Sequence, residues 1–555
     1  MSRPRILGLL IPSAREMFPW AAWAMLLLAV TTRANDDNSP SPASGKNAPV
    51  AETTKHQPES LAQRVDQHLK PSIGSVIAPS IDDAHFLRRV YLDFAGRIPS
   101  LDEARGFLAE VDPDKRAKLI DRLLAGPEYP RRMKELFHVL LMERRGENEE
   151  WLNYLEQSFA ANKPWDQIVR EILAPQADDA ALRGAAYFHT RRLEKVGQQE
   201  IDYPGLTRDI GRLFMGVDLQ CAQCHDHLFI DEYKQVDFQG LYTVVSHTLI
   251  RTDTKFPAVG EKPIKGKTEF TSVFEGVKQE VGPRVPFGSE MPLLPVPAKG
   301  KPTESSLALI AGSLPSAENH RFTTNIANRL WFTLLGRGLI HPLDLQHAGN
   351  PPSHPELMKM LATELAVNGF DIKYFMRELA LTDAYARASS LPSGKYPEPK
   401  SFAVGIERRL SAEQMLWSLL TAVLDPAEMK DEAQRRAQFA KYQPKFVKAF
   451  ANPAKEPEES YQASLQGVLF TLHDPTLTEL LAPSGNNLVA RLAKVTDRDA
   501  LIDELYLALL VRKPSDAERL ACAERLDPVE EQQRAKAITQ IAWALISGLE
   551  FSLNH

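Results

Sequence analysis

Residues 206–227 read LTRDIGRLFMGVDLQCAQCHDH, a helix-patterned segment that leads directly into two cysteines. The apolar residues that share one helical face are Leu206, Ile210, Leu213, Phe214 and Val217. A stripe of this period predicts an amphipathic helix packed on a core. Cys221 is therefore expected at or just past a helix end.

A Cys-x-x-Cys-His motif is formed by Cys221, Cys224 and His225. This is the spacing used for covalent haem attachment in c-type cytochromes. Residues three apart on a helical turn share a face, so each thiol can reach one haem vinyl group. The imidazole of His225 can then serve as an axial ligand of the iron. The motif therefore predicts a haem c site.

The sixth iron ligand is left open by the sequence. Met291 lies downstream in a proline-flanked loop, FGSEMPLLP, as in many small cytochromes. The other candidates are Met215, His227 and His247. His227 is only two residues beyond His225 and would have to swing round the ring edge to reach the opposite face. Met215 and Met291 are each also typical of residues that only pack in a hydrophobic core.

A zinc site is an alternative interpretation of the motif. Cys221, Cys224, His225 and His227 offer four donors that suit zinc in number and type. Four ligands within seven residues would be strained about one tetrahedral ion. A more relaxed set comprises Cys221, Cys224, His227 and either His247 or Asp231. An open position in such a site would allow metal-assisted hydrolysis.

Two further interpretations of the cysteine pair need no bound group. A thioredoxin-like redox pair is disfavoured, because no strand-rich pattern surrounds the motif. A small structural disulfide loop, or a motif retained without a cofactor, stays open. The third cysteine, Cys522, lies alone in a helical pattern and is expected to behave as a small apolar residue.

Composition limits the classes of function. Of the chain's residues 43% are hydrophobic and 25% charged, a composition typical of a globular protein. A length of 555 residues predicts more than one hydrophobic core. The net charge is −6. No basic excess is present to neutralise phosphates, so nucleic-acid binding is not expected.

The amino terminus predicts export. Arginines precede a short apolar run at 19–30, PWAAWAMLLLAV, and small residues before position 34 suit cleavage after Ala34. Residues 1–34 are thus predicted as a signal peptide, with an uncleaved membrane anchor as the alternative. Residues 35–60 are polar and predicted as a disordered linker. The body of the protein is expected in the periplasm or another extracytoplasmic space.

The remaining chain predicts a mainly α fold. Residues 61–250 and 316–555 are predicted as two helical domains, and residues 251–315 as an extended or small β connector. Capping patterns are expected at Ser100, Ser353 and Ser411. The apolar residues expected to form a collar around the motif are Leu228, Phe229, Ile230, Tyr233 and Phe238, although the same residues would also suit an ordinary core.

Several long strings carry a family resemblance. FLRRVYLDFAGRIPS, PDKRAKLIDRLLAGPEY and LFMGVDLQCAQCHDHLF resemble the Planctomycete cytochrome-type domain of unknown function. IANRLWFTLLGRGLIHPLD, NPPSHPELMKMLATELAVNGF and the terminal ALISGLEFSLNH resemble the Planctomycete-specific domain that commonly follows it. The resemblance implies a large, helical, exported protein with one cytochrome-like motif and no assigned biochemical role.

The chain departs from the family pattern directly after the motif. The family usually continues His-Asp-His-Pro-Phe and then Asp-Lys-Trp, whereas here Leu228 replaces the proline and residues 230–233 replace the rest. Both cysteines, His225 and His227 are kept. The departure therefore affects the expected partner or substrate of the protein more than the expected ligands of the iron.

Together these patterns predict an exported, helical protein with one haem c site that transfers single electrons or supports a partner enzyme. The redox or enzyme partner is not identified by the sequence. The alternatives are a zinc-dependent enzyme acting on an extracellular polymer, and a non-catalytic binding or surface protein. Whether the protein is an enzyme stays open at this point.

Overall fold

The computed structural model describes residues 59–195, 197–274, 276–295, 305–392, 394–457, 465–527 and 530–555. The predicted signal peptide and nearly all of the predicted linker lie outside these residues. The helices of the first half are α1 (Leu61–Leu69), α2 (Asp83–Phe94), α3 (Leu101–Ala109), α4 (Lys115–Ala125), α5 (Glu128–Met142), α6 (Glu149–Ala160), α7 (Trp165–Leu173), α8 (Tyr187–Leu193), α9 (Tyr203–Met215) and α10 (Gln235–Val245).

Two short antiparallel hairpins follow the first set of helices. Their strands are β1 (Thr248–Ile250) with β2 (Val259–Glu261), and β3 (Thr268–Thr271) with β4 (Lys278–Val281). These strands confirm the β character predicted for the segment between the helical regions.

The second half is again helical. Its helices are α11 (Ser306–Ser313), α12 (His320–Leu335), α13 (Pro355–Val367), α14 (Ile372–Ala380), α15 (Ala412–Val423), α16 (Glu432–Phe450), α17 (Leu465–His473), α18 (Pro475–Leu481), α19 (Leu488–Leu492), α20 (Arg498–Leu510), α21 (Asp516–Leu526) and α22 (Glu531–Ser547). A last pair of strands, β5 (Arg408–Arg409) and β6 (Leu553–Asn554), brings the carboxyl end back to α15. The mainly α fold class is confirmed.

Local capping signals place most helix starts. Ser100 and Ser411 each accept a hydrogen bond from the backbone N–H three residues on and complete the predicted capping boxes. The box predicted at Ser353 is wrong, because His354 is the residue that precedes α13 and its side chain makes no capping bond. Ser353 instead donates its backbone N–H to Leu339 O, which draws it into a contact between loops.

Buried arginines of α2 join the two predicted helical regions. Arg88 donates to the backbone carbonyls of Glu550, Phe551 and Leu553, at 3.0, 2.9 and 3.2 Å. Arg89 donates to the carbonyl of His555 at 3.2 Å. Residues 59–555 pack as one unit around a shared apolar core. The domain boundaries drawn near 250 and 315 stay predictions of sequence organisation.

None of the described helices is both long enough and apolar enough to cross a bilayer.

Candidate functional site at the Cys-x-x-Cys-His motif

Helix α9 precedes the motif and ends at Met215, earlier than predicted, so that Val217 of the predicted apolar stripe lies beyond the helix. Gly216 terminates it with a left-handed φ of 66°, and its N–H donates to Arg212 O. A Cβ at this glycine would lie 3.0 Å from Asn325 Oδ1 and 3.3 Å from Leu343 O. The turn therefore needs glycine both for its backbone angle and for its close approach to the second helical region.

Cys221 begins one turn of 3-10 helix, Cys221–Gln223, and Cys224 directly follows this turn. The N–H groups of Cys224 and His225 both donate to Cys221 O, at 3.3 and 3.4 Å. Both cysteines are free and exposed, whereas Cys522 is buried within α21. The turn thus presents to solvent two thiols that lie three residues apart in the chain.

The imidazole of His225 is oriented by a backbone carbonyl. Its Nδ1 lies 2.6 Å from Asp226 O. A carbonyl oxygen only accepts, so Nδ1 must carry the proton and donate. In neutral imidazole the lone pair then resides on Nε2. Donation of the second ring N–H to a carbonyl is the usual arrangement of a metal-ligating histidine.

His227 has the opposite ring arrangement. Its Nδ1 accepts the backbone N–H groups of Phe229 and Ile230, at 3.1 and 3.0 Å. The proton of the neutral ring is therefore on Nε2, which leaves that nitrogen without a lone pair for a metal. The backbone N–H of His227 donates to Tyr233 O at 2.8 Å. His227 thus holds the loop 227–233 in shape rather than offering a ligand.

The predicted apolar collar is partly wrong. Tyr233 and Phe238 are both turned into the protein core, each only 1% exposed. Leu228 and Phe229 instead project to solvent, with 63% and 88% of their surface exposed. Ile230 is half-buried. The exposed pair follows the motif in a tight loop, where the backbone N–H of Phe229 is held by His227.

A second apolar element reaches the motif from the β3–β4 hairpin, and the sequence interpretation missed it. Val273 donates its N–H to Cys224 O at 3.2 Å, and the ring of Phe274 lies 4.6 Å from that of His225. Both side chains are largely exposed. An apolar Val-Phe pair in an otherwise polar stretch was the available signal, but its pairing with the motif depends on the tertiary fold.

Polar contacts with helix α10 and the residue before it hold the motif turn in place. Gln239 on α10 donates its side-chain amide to Gln223 O at 3.0 Å. The carboxylate of Asp226 accepts the N–H of Gln235 at 2.8 Å and pairs with Lys234 at 3.1 Å. The motif backbone is therefore tied to the start and the middle of α10, while its thiols stay free.

The candidate sixth ligands lie in different surroundings. Met215 is fully buried in α9, and Met291 is half-buried against the apolar core. His247 donates from Nδ1 to Thr243 O at 2.8 Å, at the end of α10. Among the described residues, no group of three or more histidines, cysteines, aspartates or glutamates is arranged to hold a metal ion.

His347 is a further histidine near the motif loop that sequence reasoning did not single out. Its ring lies 5.8 Å from Tyr233, which is in turn 5.9 Å from His227. Burial lowers the pKa of His347. Glu232 of the same loop pairs with Arg321 on α12. The motif loop is therefore anchored to the second helical region.

Comparison with protein families matches two separate regions of the chain. Residues 62–249 match PSCyt2, a protein of unknown function (DUF1549), and residues 308–526 match PSD1, a protein of unknown function (DUF1553). The chain carries these two families in tandem. The pairing is typical of Planctomycete proteins. Neither the search of curated proteins nor the search of solved structures found a match.

The motif lies near the end of the PSCyt2 region, 62–249. The apolar pair Val273 and Phe274 lies after that region and before the PSD1 region, 308–526. The segment between the two family regions therefore contributes directly to the surroundings of the motif.

Proposed function

We propose that this protein is an exported one-electron carrier that holds a single haem c at Cys221 and Cys224, with His225 as the proximal ligand. The observation that carries the proposal is the orientation of His225. Its Nδ1–H is donated to Asp226 O, which leaves the Nε2 lone pair available beside two exposed thiols. A disulfide loop would not require the histidine to be oriented in this way.

The surface around the motif also suits a haem. Leu228, Phe229, Val273 and Phe274 are exposed apolar side chains on the two segments that contact the turn. Apolar surroundings exclude water from a haem edge and help to set its potential. When bound, haem c supplies a one-electron redox couple. The protein residues attach it, orient the proximal imidazole and shield one edge from solvent.

The proposal is tested by covalent haem content. The full chain, including residues 1–58, is produced in a host that matures c-type cytochromes. A c-type haemochrome spectrum in alkaline pyridine, together with a protein mass increased by one haem, is the expected result. Cys221→Ser and Cys224→Ser should each reduce attachment strongly, because each removes one anchoring thiol.

Cys522→Ser is the matched control, since it makes the same atomic change at a buried position of α21, outside the motif. It should leave the haem content unchanged. Absence of haem from the wild-type chain, in cells that mature a control cytochrome, would contradict the proposal. If that protein contained bound zinc, the metal-dependent enzyme would be favoured. If it contained neither haem nor zinc, a binding or surface protein would be favoured.

Export is part of the proposal and has its own test. Residues 1–34 are proposed as a signal peptide that places the body in the periplasm, where thiols and haem are joined. Cell fractionation and amino-terminal sequencing should find a mature chain that begins at Asn35. A chain that keeps residues 1–34 and sediments with membranes would instead support the uncleaved anchor.

A further inference from the structure

A cavity of about 400 Å³ is lined by segments of both family regions and by no residue of the Cys-x-x-Cys-His motif. Residues 72–76, which follow α1, form one wall, and residues 353–354 directly before α13 form another together with parts of 397–403. The backbone N–H of Ala78 donates to Ala403 O at 2.9 Å and ties these segments together. The volume falls within the usual range of small-molecule sites.

A serine and a histidine from the two regions meet in this cavity. Ser72 ends a turn of 3-10 helix, Lys70–Ser72, and His354 precedes α13. Oγ of Ser72 lies 2.6 Å from Nε2 of His354. A hydroxyl within hydrogen-bond reach of an imidazole is the arrangement of an activated nucleophile and its base. The two residues are 282 positions apart in the chain, so local sequence patterns do not reveal the pair.

The imidazole of His354 is held in the orientation that a base requires. Its Nδ1 lies 3.1 Å from Oγ of Ser353, and its ring packs against that of Phe402, with the ring centroids 5.9 Å apart. In the tautomer with the proton on Nδ1, Nδ1 donates to Ser353 and the lone pair of Nε2 faces Ser72. Burial lowers the pKa of His354, so the ring is mostly neutral at pH 7 and can accept a proton.

The hydroxyl of Ser72 has two acceptors for its single proton. Leu69 O lies 2.7 Å from Oγ, and His354 is the second acceptor. Rotation about the Cβ–Oγ bond directs the proton to one or the other. A local role at the end of the 3-10 turn would need only the carbonyl, so the contact with His354 is additional. Ser72 is also exposed, so a substrate in the cavity can reach its Oγ.

The remaining lining of the cavity suits a small ester. Ile73, Val76 and Ala403 provide apolar surface for a short acyl group. Gly74 also lines the cavity, and its backbone N–H donates to no group in the part of the chain that the structure describes. A free N–H close to the nucleophile is available to a carbonyl oxygen on which negative charge develops.

We propose that Ser72 and His354 form a catalytic pair that hydrolyses small carboxylic esters with a short apolar acyl group. Oγ of Ser72 attacks the carbonyl carbon while its proton passes to Nε2 of His354. The bond from that carbon to the alcohol oxygen breaks, and the alcohol leaves with the proton from Nε2. Water then attacks the acyl-serine and gives a proton to Nε2, the carboxylic acid leaves, and Nε2 returns the proton to Oγ. One ester and one water thus yield one acid and one alcohol.

Ser353 is a positioning residue in this reaction, because its hydroxyl contacts the base and not the substrate. Glu398, a carboxylate that lines the cavity, pairs with Lys400 at 2.8 Å. A neutral hydroxyl stabilises an imidazolium less than a carboxylate does, so we expect slower hydrolysis than that of a Ser-His-Asp enzyme. The site shares no residue with the haem site, so either proposal can fail without the other.

The probe is 4-methylumbelliferyl butyrate, and the fluorescence of the released alcohol measures its hydrolysis by the full-length exported protein. Saturable hydrolysis is expected. A fluorophosphonate should abolish it by adding one phosphonyl group per chain with loss of fluoride, and peptide mass mapping should find that group on Ser72. Absence of hydrolysis, or a label on a different residue, would overturn the proposal and leave the haem assignment as it is.

Ser72→Ala and His354→Gln test the pair directly. Each should lower kcat at least about 100-fold, because one removes the nucleophile and the other removes the base. Ser75→Ala is the matched control, since Ser75 lines the same cavity and its side chain makes no hydrogen bond within the described residues. It should leave kcat unchanged. Hydrolysis at the wild-type rate by folded Ser72→Ala would overturn the proposal, and the labelling of the wild-type chain serves as the test if a variant does not fold.

Ser353 is tested by the separate effects on kcat and KM. Ser353→Ala should lower kcat roughly 10-fold, the effect of losing one hydrogen bond, and leave KM unchanged. Ser353→Thr keeps a hydroxyl and should restore kcat. A change in KM alone, or a threonine variant as slow as the alanine variant, would show that Ser353 does not position the base.

Discussion

At the residue scale, two histidines of the same motif have different roles because of their hydrogen bonds. His225 donates from Nδ1 to a carbonyl, whereas His227 accepts two backbone N–H groups at the same ring atom. Residue type and sequence spacing alone do not distinguish the roles of the two histidines. The backbone atom that faces each Nδ1 decides which ring keeps a lone pair for a metal.

A matched pair of substitutions follows from this difference. His227→Asn should keep the loop, since an amide oxygen can accept the same N–H groups, and should leave haem attachment and the visible spectrum unchanged. His225→Asn should shift the spectrum, because the proximal nitrogen is lost. Spectra of the two purified variants provide the measurement. A spectral shift in His227→Asn would reinstate His227 as an iron ligand.

Buried histidines also predict a pH dependence of stability. Burial lowers the pKa of His189 from 6.5 to about 4. Between these values the unfolded chain binds more protons than the folded one, so stability falls as the pH drops through this window. The full loss is roughly 3 kcal/mol for a shift of this size.

His189→Gln should flatten this dependence. Its amide can still donate to Ile172 O, the acceptor that His189 Nε2 contacts at 2.9 Å, but it does not titrate. Urea unfolding at several pH values between 4 and 7 provides the measurement. His68→Gln, at the exposed end of α1, should leave the slope as it is. An unchanged slope in His189→Gln would contradict the assignment.

At the element scale, the starts and ends of several helices are set by local capping residues. Ser100 and Ser411 start their helices as capping boxes, and Gly216 and Gly336 end theirs in left-handed conformations. These capping interactions join residues within one helical turn of each other, so they depend little on the surrounding tertiary structure. The predicted box at Ser353 was wrong because a longer-range contact drew its backbone away.

The turn at Gly216 can be tested against a glycine of similar backbone angle. Gly369 has a φ of 63° and an added Cβ there would meet nothing within 4 Å. Gly369→Ala should cost about 1 to 2 kcal/mol for the left-handed conformation alone. Gly216→Ala should cost more, since its Cβ also presses on Asn325. Denaturant unfolding of both variants measures the difference, and equal costs would show that the contact at Gly216 is not tight.

At the scale of the whole molecule, Asp93 is a junction between distant segments. Its carboxylate accepts from Arg408 at 2.8 Å, from Tyr385 at 2.7 Å and from Asn554 at 3.0 Å. Asp93 belongs to the PSCyt2 region, whereas Arg408 and Tyr385 belong to the PSD1 region. The two family regions are therefore joined by a buried ion pair and not by apolar packing alone.

Asp93→Asn should destabilise the whole unit by about 3 to 5 kcal/mol, because Arg408 would remain buried without its counterion. Denaturant unfolding followed by tryptophan fluorescence and circular dichroism should show one coincident transition at a lower midpoint. Glu269→Gln is the control, since its pair with Lys278 is exposed and should contribute less than about 1 kcal/mol. Two separated transitions in Asp93→Asn would indicate that the regions unfold independently.

The sequence by itself determined the helical class, the helix starts at Ser100 and Ser411, and the short turn that carries Cys221, Cys224 and His225. These features depend on residue periodicity and on contacts within about one helical turn. It also indicated the two family regions, because long strings of residues agree in order. Haem binding and export follow from sequence patterns as well, and both stay predictions until they are measured.

Only the tertiary structure decided what surrounds the motif and what lies between the two regions. The approach of Phe274 to His225, the contact of Tyr233 with His347 and the ion pair of Asp93 with Arg408 all join residues far apart in the chain. Such contacts depend on which helix faces pack together and on which carboxylate each arginine pairs with. Local patterns do not contain that information, because the pairing energy arises only when the elements pack together.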